Sequence, residues 1–466
     1  MPVKLPSGTQ ILVAVLVCAA FATPPSKAQQ QQAAMDSGTR SELSDMLRCA
    51  YEEVNKHYYD PKLQGIDWDA RYKQYQGRIA NAPNLGEGYR IVAAFLSGLK
   101  DSHTYFYPPD RARYDSGYRY ALVGNDAFIT HVRPKTDADA DAKLHIGDKI
   151  LGMNGFKVDR ADYHDVEYYF NILSPQMSMK FDLQSPSGER RQVVVAATAM
   201  PTKRVVDLPK RQDYYDWMRW EQNWNGGTRS QIIVQGDVAI WELQQFLPVG
   251  GQLEIDEIEK AIGIARKHKA LILDLRGNGG GDEEMLRLMV GSLFDREIKI
   301  GDRVGRTEKD SKPLKALRHG QPFDGKLIIL VDSESASCSE LLARIVQLEH
   351  RGTVIGDNSM GAVMPARYYP ESMGAETKIF FGVQVTSANL VMSDGKSLEK
   401  IGVTPDELLL PTAADLAAGR DPVLAHAVEL VGGNLDAEAA GKLFPYEWSP
   451  LIIVLKIVGV PSAAHY

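Results

Sequence analysis

Two short segments limit what this chain can fold into. One is Leu271-Ile-Leu-Asp-Leu-Arg-Gly-Asn-Gly-Gly-Gly281, and the other is Leu327-Ile-Ile-Leu-Val-Asp-Ser-Glu-Ser-Ala-Ser-Cys-Ser-Glu340. Each opens with an apolar run of strand length, breaks into glycines or small polar residues, and leads into a helical pattern. Uninterrupted apolar strands are buried on both faces, the habit of a parallel sheet covered by helices. The alternation continues around them. Asp237 to Leu243 reads as a strand, while Ile255, Ile258, Ile262 and Ala265 mark one helix and Leu341, Leu342, Ile345 and Val346 another. That order predicts βαβ crossovers and a largely parallel sheet. In such sheets the loops beyond the strand C-termini carry ligands and chemistry.

The two loops are chemically complementary. Ser337 stands where a buried strand gives way to a helix, and unpaired N–H groups and the helix dipole favour negative charge there. A tetrahedral oxyanion formed beside Ser337 would accept the Cys338 N–H. The same residues, Ser337-Cys-Ser-Glu340, also fit a capping box, and spacing alone does not choose between the two. In the other loop three consecutive glycines let backbone approach a ligand without side-chain clash. Gly277-Asn-Gly279 starts a dinucleotide fingerprint that Asp282 breaks. Gly280 or Gly281 therefore reads as an oxyanion donor rather than part of a phosphate cradle. Together the loops point to acyl transfer by a serine nucleophile.

Composition excludes several classes. The chain has 466 residues, enough for two to four domains, with 44% apolar and 24% charged residues, as in an ordinary soluble globular protein. Its net charge is −7 without a long basic run, which argues against a nucleic-acid partner. Residues 1–28 read as a secretory signal: Lys4, an apolar core from Ile11 to Ala22, and Ser26-Lys27-Ala28 as a cleavage site. The core is too short to span a bilayer comfortably, so the expectation is an exported, periplasmic or secreted protein without a transmembrane segment in the mature chain. The three cysteines, Cys18, Cys49 and Cys338, form neither a disulfide framework nor a zinc pattern. Asp137, Asp139 and Asp141 lack the glycine and glutamate of a calcium loop and read as a solvated acidic stretch. No metal and no organic cofactor is expected.

Along the chain, residues 36–110 read as a helical N-terminal region. In it Leu43, Met46, Leu47, Ala50 and Val54 share one face, and Ile91, Val92, Phe95, Leu96 and Leu99 mark a second helix. Residues 113–198 alternate short strands with turns around one helix, Asp162 to Leu173. Within them Ile146-Gly-Asp-Lys-Ile-Leu-Gly-Met-Asn-Gly155 resembles a PDZ domain. PDZ domains bind peptide C-termini by adding a strand to a sheet edge, and Tyr120, Ala121 and Leu122 are the candidates for that edge. Residues 199–235 read as a connector within a catalytic region of 199–412, and 413–466 as a mostly helical tail.

The order Asp274-Leu-Arg-Gly-Asn-Gly-Gly-Gly281 followed by Ser335-Ala-Ser-Cys-Ser-Glu340 resembles the C-terminal-processing and tricorn-like serine peptidases. Val354-Ile-Gly-Asp357 followed by Gly361, Gly402-Val-Thr-Pro-Asp406 and Leu99-Lys-Asp-Ser-His-Thr104 agree with it. The resemblance covers nearly all of residues 40–412 and implies an α/β protein with a crotonase/ClpP-like βαβ catalytic core, a helical N-terminal region and an inserted PDZ-like domain. It maps the nucleophile onto Ser337. Tail-processing members take their base from a lysine that corresponds here to Ala362, so a Ser–Lys pair is unsupported. Tricorn-like members use histidine, which implies His103 as base, with Ser102 and an acidic residue completing the relay: Glu399 is the natural candidate, and Asp394 and Glu407 lie close by in sequence. Imidazole can take a serine proton near neutrality, and it needs a partner to fix its tautomer. The implied partners are protein or peptide substrates, including their C-termini; the oligomeric state is left open. The rival readings are a peptide- or ligand-binding scaffold without catalysis, and, less well supported, a crotonase-like acyl-CoA enzyme.

Overall fold

The computed structural model describes residues 35–109, 113–200, 230–246, 252–374, 379–448 and 456–459; the expected signal segment 1–28 lies outside them. The N-terminal region is three helices, α1 (Ser37–His57), α2 (Trp68–Ala80) and α3 (Leu85–Leu96). Asp36, Asp67 and Asn84 cap them, each accepting a first-turn backbone N–H. The predicted stripe Leu43, Met46, Leu47, Ala50 and Val54 is buried against Trp68, Tyr75, Ile91 and Phe95. The chain then forms the short strand β1 (Tyr105–Tyr107).

The next unit is closed at its ends by β2 (Arg113–Asp115), which pairs antiparallel with β9 (Thr198–Met200). Between them run β3 (Tyr118–Val123), β4 (Asp126–Val132), β5 (Lys149–Met153), β6 (Phe156–Lys157), β7 (Ser178–Gln184) and β8 (Arg190–Ala196). The spatial order is β3-β4-β5-β7-β8, with β6 beside β5, so β3 is an edge strand. A helix, α4 (Tyr163–Glu167), continues as a wider π-type turn over Tyr168–Leu173 and covers a core of Phe170, Phe181, Leu183 and Ile150.

The largest sheet has seven strands. In chain order its helices and strands are β10 (Ser230–Gln235), β11 (Val238–Leu243), α5 (Gln252–Ala265), β12 (Ala270–Asp274) and α6 (Glu283–Leu293), then β15 (Lys326–Val331), α7 (Cys338–Leu348), β16 (Thr353–Gly356) and β20 (Glu407–Leu408). Spatially the order is β20-β16-β15-β12-β11-β10-β21, where β21 is Lys456–Gly459. All neighbours are parallel except β10 with β11. Alternate residues serve opposite faces: Leu271, Leu273, Leu327 and Ile329 pack under α5, α6 and α7, while Ile272, Ile328 and Leu330 meet a tail helix at Val423, Leu424, Ala427 and Val428. This double coverage is why the two segments are apolar without interruption.

Two smaller sheets complete the region. β13 (Ile298–Gly305) lies between β14 (Lys312–Ala316) and β19 (Ala388–Met392), and β18 (Ile379–Thr386) lies between β1 and β17 (Ala366–Met373). The tail contributes α8 (Ala413–Ala417), α9 (Pro422–Leu430), α10 (Ala437–Ala440) and the strand β21. Two strands were not expected from the sequence: residues 230–235 of the connector form β10, and within the described residues of the tail β21 pairs with β10 and covers the edge it would otherwise present.

Candidate active site

β12 and β15 are hydrogen-bonded neighbours in register, so the loops that follow them meet. Leu275 N donates to Leu330 O at 2.9 Å just beyond the strands. The Asp274-Leu-Arg276 stretch is a clamp rather than a reactive group. The Arg276 guanidinium joins Asp274 (2.6 Å) to Asp421 (2.7 Å), the residue that caps α9. Burial opposes the charge on Arg276, but the two carboxylates outweigh it and hold its pKa well above the usual arginine range.

Ser337 is half-buried at the mouth of α7 with φ 53° and ψ −115°, a conformation that L residues rarely adopt. Its N–H holds it there, donating to Ala362 O at 2.8 Å and to Glu340 Oε2 at 3.0 Å. The glycine loop closes directly on it. A Cβ on Gly280 would stand 2.6 Å from Ser337 Cβ and 2.9 Å from Ala336 O, and Gly280 has φ +94°. Only glycine permits that approach. Among the described residues the N–H groups of Cys338 and Gly281 have no acceptor, whereas Gly280 N–H donates to Asn278 Oδ1 at 2.9 Å. The buried Cys338 thiol points to Gly281 O (3.5 Å), and burial pushes its pKa up to about 12, so it is an inert filler rather than a thiolate.

His103 and its neighbours come from the far end of the sequence. Asp101 Oδ1 accepts the N–H groups of His103 (3.0 Å) and Thr104 (2.7 Å), and Gln384 Nε2 on β18 donates to His103 O at 3.0 Å. Ser102 Oγ lies 2.7 Å from His103 Nδ1 and donates to Glu399 Oε2 at 2.9 Å. Glu399 also accepts Ser102 N at 2.7 Å and Val363 N at 3.2 Å. A hydroxyl has one proton. With that proton given to an ionised Glu399, Ser102 Oγ must accept from His103 Nδ1–H. The tautomer assigned in this way leaves Nε2 with a free lone pair. Burial, with help from Lys400 and against the pull of Asp101, lowers the His103 pKa to about 4, so the ring is neutral at pH 7. Burial raises the Glu399 pKa, countered by its Ser102 and Val363 hydrogen bonds.

The structure thus joins Ser102, His103 and Glu399 in one hydrogen-bonded chain and brings Ser337, Gly280 and Cys338 into one loop contact, and among the described residues no hydrogen bond links His103 to Ser337. Residues 359–363 join the two groups, because Ala362 O binds Ser337 N and Val363 N binds Glu399. Two residues in this frame had only a structural signal in sequence. Asn278, fully buried, donates to Leu243 O (2.7 Å) and accepts from Gly280, Ala336 and Ser339, tying three segments together. Glu340, read as a capping-box residue, also accepts Ser359 Oγ (2.6 Å), Gly361 N (2.7 Å) and Ala362 N (2.9 Å). Tyr120, Ala121 and Leu122 do lie on the edge strand β3. However, Tyr120 O accepts from Tyr163 O–H (3.2 Å) and Leu122 O from Ser333 Oγ (2.8 Å), the latter in the loop that leads to Ser337. Among the described residues no three His, Cys, Asp or Glu side chains are grouped to hold a metal, and no helix is long and apolar enough to cross a membrane.

Similarity to known proteins follows this geometry. Residues 237–409 match peptidase family S41, and residues 39–87 match the tricorn protease C1 domain. The carboxyl-terminal-processing protease of Picosynechococcus sp. is 30% identical over 383 residues, which cover 78% of this chain and 83% of that protein. Tricorn protease homolog 1 of Streptomyces coelicolor is 25% identical over 417 residues, covering 83% of this chain but 35% of the homolog. The chain thus spans about a third of the length of the tricorn homologs it matches. In fold it resembles the crystal structure of mature CPAF, with a TM-score of 0.62 at 15% identity over 82% of this chain and 95% of that one. A mixed α/β fold with a helical N-terminal region, shared with that solved structure, defines the class. More narrowly, the chain belongs to peptidase family S41 and is homologous to the tricorn and C-terminal-processing peptidases.

Proposed function

We propose that this S41 peptidase is an exported serine endopeptidase of the Ser–His type that cleaves protein substrates, tail processing included. The observation that carries the reading is the hydrogen-bonded path from His103 through Ser102, Glu399 and Val363 to the loop that holds Ser337. In this mechanism Ser337 Oγ attacks the peptide carbonyl carbon while His103 Nε2 takes its proton. The imidazolium keeps its Nδ1–H on Ser102, and Glu399 offsets its charge through that hydroxyl. The oxyanion lies against Cys338 N–H and a glycine N–H, either from Gly281 or from Gly280 after exchange of its Asn278 partner. His103 then protonates the leaving amine, and water hydrolyses the acyl-enzyme by the same route.

Ala362 supports histidine over lysine as base, since the position is buried and its backbone N–H and C=O are both engaged. The unit 113–198, with its edge strand and covering helix, supports a PDZ-like module that recruits or gates substrate, set into a crotonase/ClpP-like core of 199–412. The segment 1–28 supports export. The test is covalent capture. A fluorophosphonate probe is expected to label wild-type protein at Ser337 in step with peptide hydrolysis, and Ser337→Ala is expected to lose both at an unchanged melting temperature. Equal turnover by a clean Ser337→Ala preparation refutes the assignment.

A further inference from the structure

In a chain of net charge −7, one cleft of about 310 Å³ collects six of the cations, Lys56, Arg303, Arg306, Lys309, Lys312 and Arg367, against one carboxylate, Asp310. They come from α1, β13, the turn after it, β14 and the edge strand β17. The floor is fixed. Arg306 donates to Tyr58 O (2.7 Å) and Asn55 O (2.9 Å) at the end of α1, while Arg303 reaches Ser387 Oγ at 3.2 Å with Glu283 3.6 Å away. The rim is free. Lys309, Lys312 and Arg367 are exposed, and among the described residues neither they, nor Lys56, nor Arg306 has a carboxylate within ion-pair distance. Asp310 is turned to Thr307 Oγ1 at 2.6 Å. His57, stacked on Tyr369 at 4.2 Å, has its pKa lowered by burial and then by the charges of Lys56, Arg367 and Arg306. The nearby carboxylates Glu53 and Glu371 have theirs raised, by burial first. Six cations held together with only Asp310 in the lining and Glu283 beside Arg303 leave an excess of positive charge, an anion site that water and salt fill by default.

The cleft is attached to the catalytic frame. Ser387 donates through both N (2.8 Å) and Oγ (3.2 Å) to Pro365 O, two residues beyond Val363. Ser387 directly follows β18, the strand whose Gln384 holds His103. We propose that this cleft is an exosite for acidic stretches of the protein substrate, which hold the chain while another part of it reaches Ser337. The inference rests on the peptidase reading. Charge complementarity favours carboxylate side chains presented on a peptide. A volume at the lower end of the range for ligand pockets, about 300–1,000 Å³, suits two or three such side chains rather than a folded domain.

The experiment compares two quenched-fluorescence peptides with one cleavable sequence, one flanked by a block of glutamates and the other by glutamines. The glutamate peptide is expected to show kcat/KM about tenfold higher at low salt, an advantage that shrinks as salt is raised. In the double variant Lys312→Glu, Arg367→Glu the ratio is expected to fall to about one with the glutamine peptide cleaved as before. A ratio near one in wild type, or a ratio that survives the charge reversal, overturns the exosite. Failure of catalysis is read separately, by anisotropy of the labelled glutamate peptide on Ser337→Ala protein. Binding lost on charge reversal upholds the exosite even if neither peptide is cleaved. If inorganic triphosphate binds and the glutamate peptide does not, the occupant is a phosphate ligand and the proposal fails.

Discussion

Adding one methyl group at Gly280 tests the closure of the glycine loop on Ser337. In Gly280→Ala the new Cβ meets Ser337 Cβ at 2.6 Å, Ala336 O at 2.9 Å and Cys338 N at 3.1 Å. Carbon atoms rest about 3.5–4.0 Å apart, so the loops must separate by about 1 Å. All three neighbours are backbone or Cβ atoms, with no flexible side-chain end to absorb the shift. The left-handed φ of +94° adds about 1–2 kcal/mol for an L residue, and local overpacking about 1–3 kcal/mol, short of unfolding a chain of this size. The chemistry suffers more. A displacement of about 1 Å between nucleophile and reacting carbon costs about a hundredfold in rate, and loss of an oxyanion donor about 10²–10³. The expected result is a fall in kcat of about a hundredfold or more with KM little changed. It is read by peptide hydrolysis and by the rate of fluorophosphonate labelling, with a melting curve to show folded protein. The neighbouring residue supplies the control: a Cβ on Gly279 meets nothing within 4 Å and its φ is not left-handed, so Gly279→Ala should stay within about threefold of wild type. A Gly280→Ala enzyme that keeps more than about a third of its activity, or a Gly279→Ala enzyme that falls equally far, refutes the argument from contact.

The pH profile and the relay give two more expectations. His103 acts as a base only when neutral, and burial lowers its pKa from 6.5 to about 4. The acid limb of the labelling rate should therefore lie well below pH 6.5 and move upward in Lys400→Met, which removes a neighbouring positive charge; a wild-type limb at 6.5 or above contradicts the buried base. By linkage, the depressed histidine makes stability rise with pH between about 4 and 6.5, a contribution that is lost as pH falls through the folded value. Glu399→Gln keeps the shape of the carboxylate but lets an amide donate to Ser102 Oγ, which then donates to His103 Nδ1 and leaves the proton on Nε2. With the wrong tautomer kcat should fall by about a hundredfold or more at constant KM; a change of less than about threefold detaches Glu399 from the relay.

The parts of this design that were legible in sequence are those written in consecutive residues. The strands at Leu271 and Leu327 show because double burial makes them apolar throughout, and Ser337 shows because it interrupts such a run at a helix start. Ser102, His103 and Glu399 were visible only through resemblance, since nothing local distinguishes that histidine from the nine others. Asn278 and Glu340 look like a loop residue and a capping residue, and their further bonds reach Leu243 and residues 359–362, which no spacing rule links to them. Four cations of the cleft, Arg303, Arg306, Lys309 and Lys312, lie close in sequence, but Glu308 and Asp310 interrupt them, and Lys56 and Arg367 join them only through the fold. Strand β21 escaped for a related reason: its partner β10 is more than two hundred residues earlier, and pairing, not composition, makes a four-residue segment a strand.

The segment 359–363 explains how a lysine position can hold alanine without loss of order. Its role here is carried by backbone. Ser359, Gly361 and Ala362 converge on Glu340, Gly361 O accepts from Lys400 N at 2.8 Å, Ala362 O holds Ser337 N, and Val363 N holds Glu399. A side chain at 362 has nothing to add to that set and little room, with alanine already only 6% exposed. If His103 is the base, as proposed, the burden falls on the N-terminal helices, which must dock before the relay exists. Their docking is visible: Tyr59 N donates to Thr386 O at 3.1 Å, Arg306 caps the end of α1, and Phe381, Val383 and Val385 of β18 enter the helical core. On the proposed mechanism the helical region is therefore part of the catalytic apparatus, and a mutation that loosens α1 from β18 acts on kcat through His103 without touching the residues around Ser337.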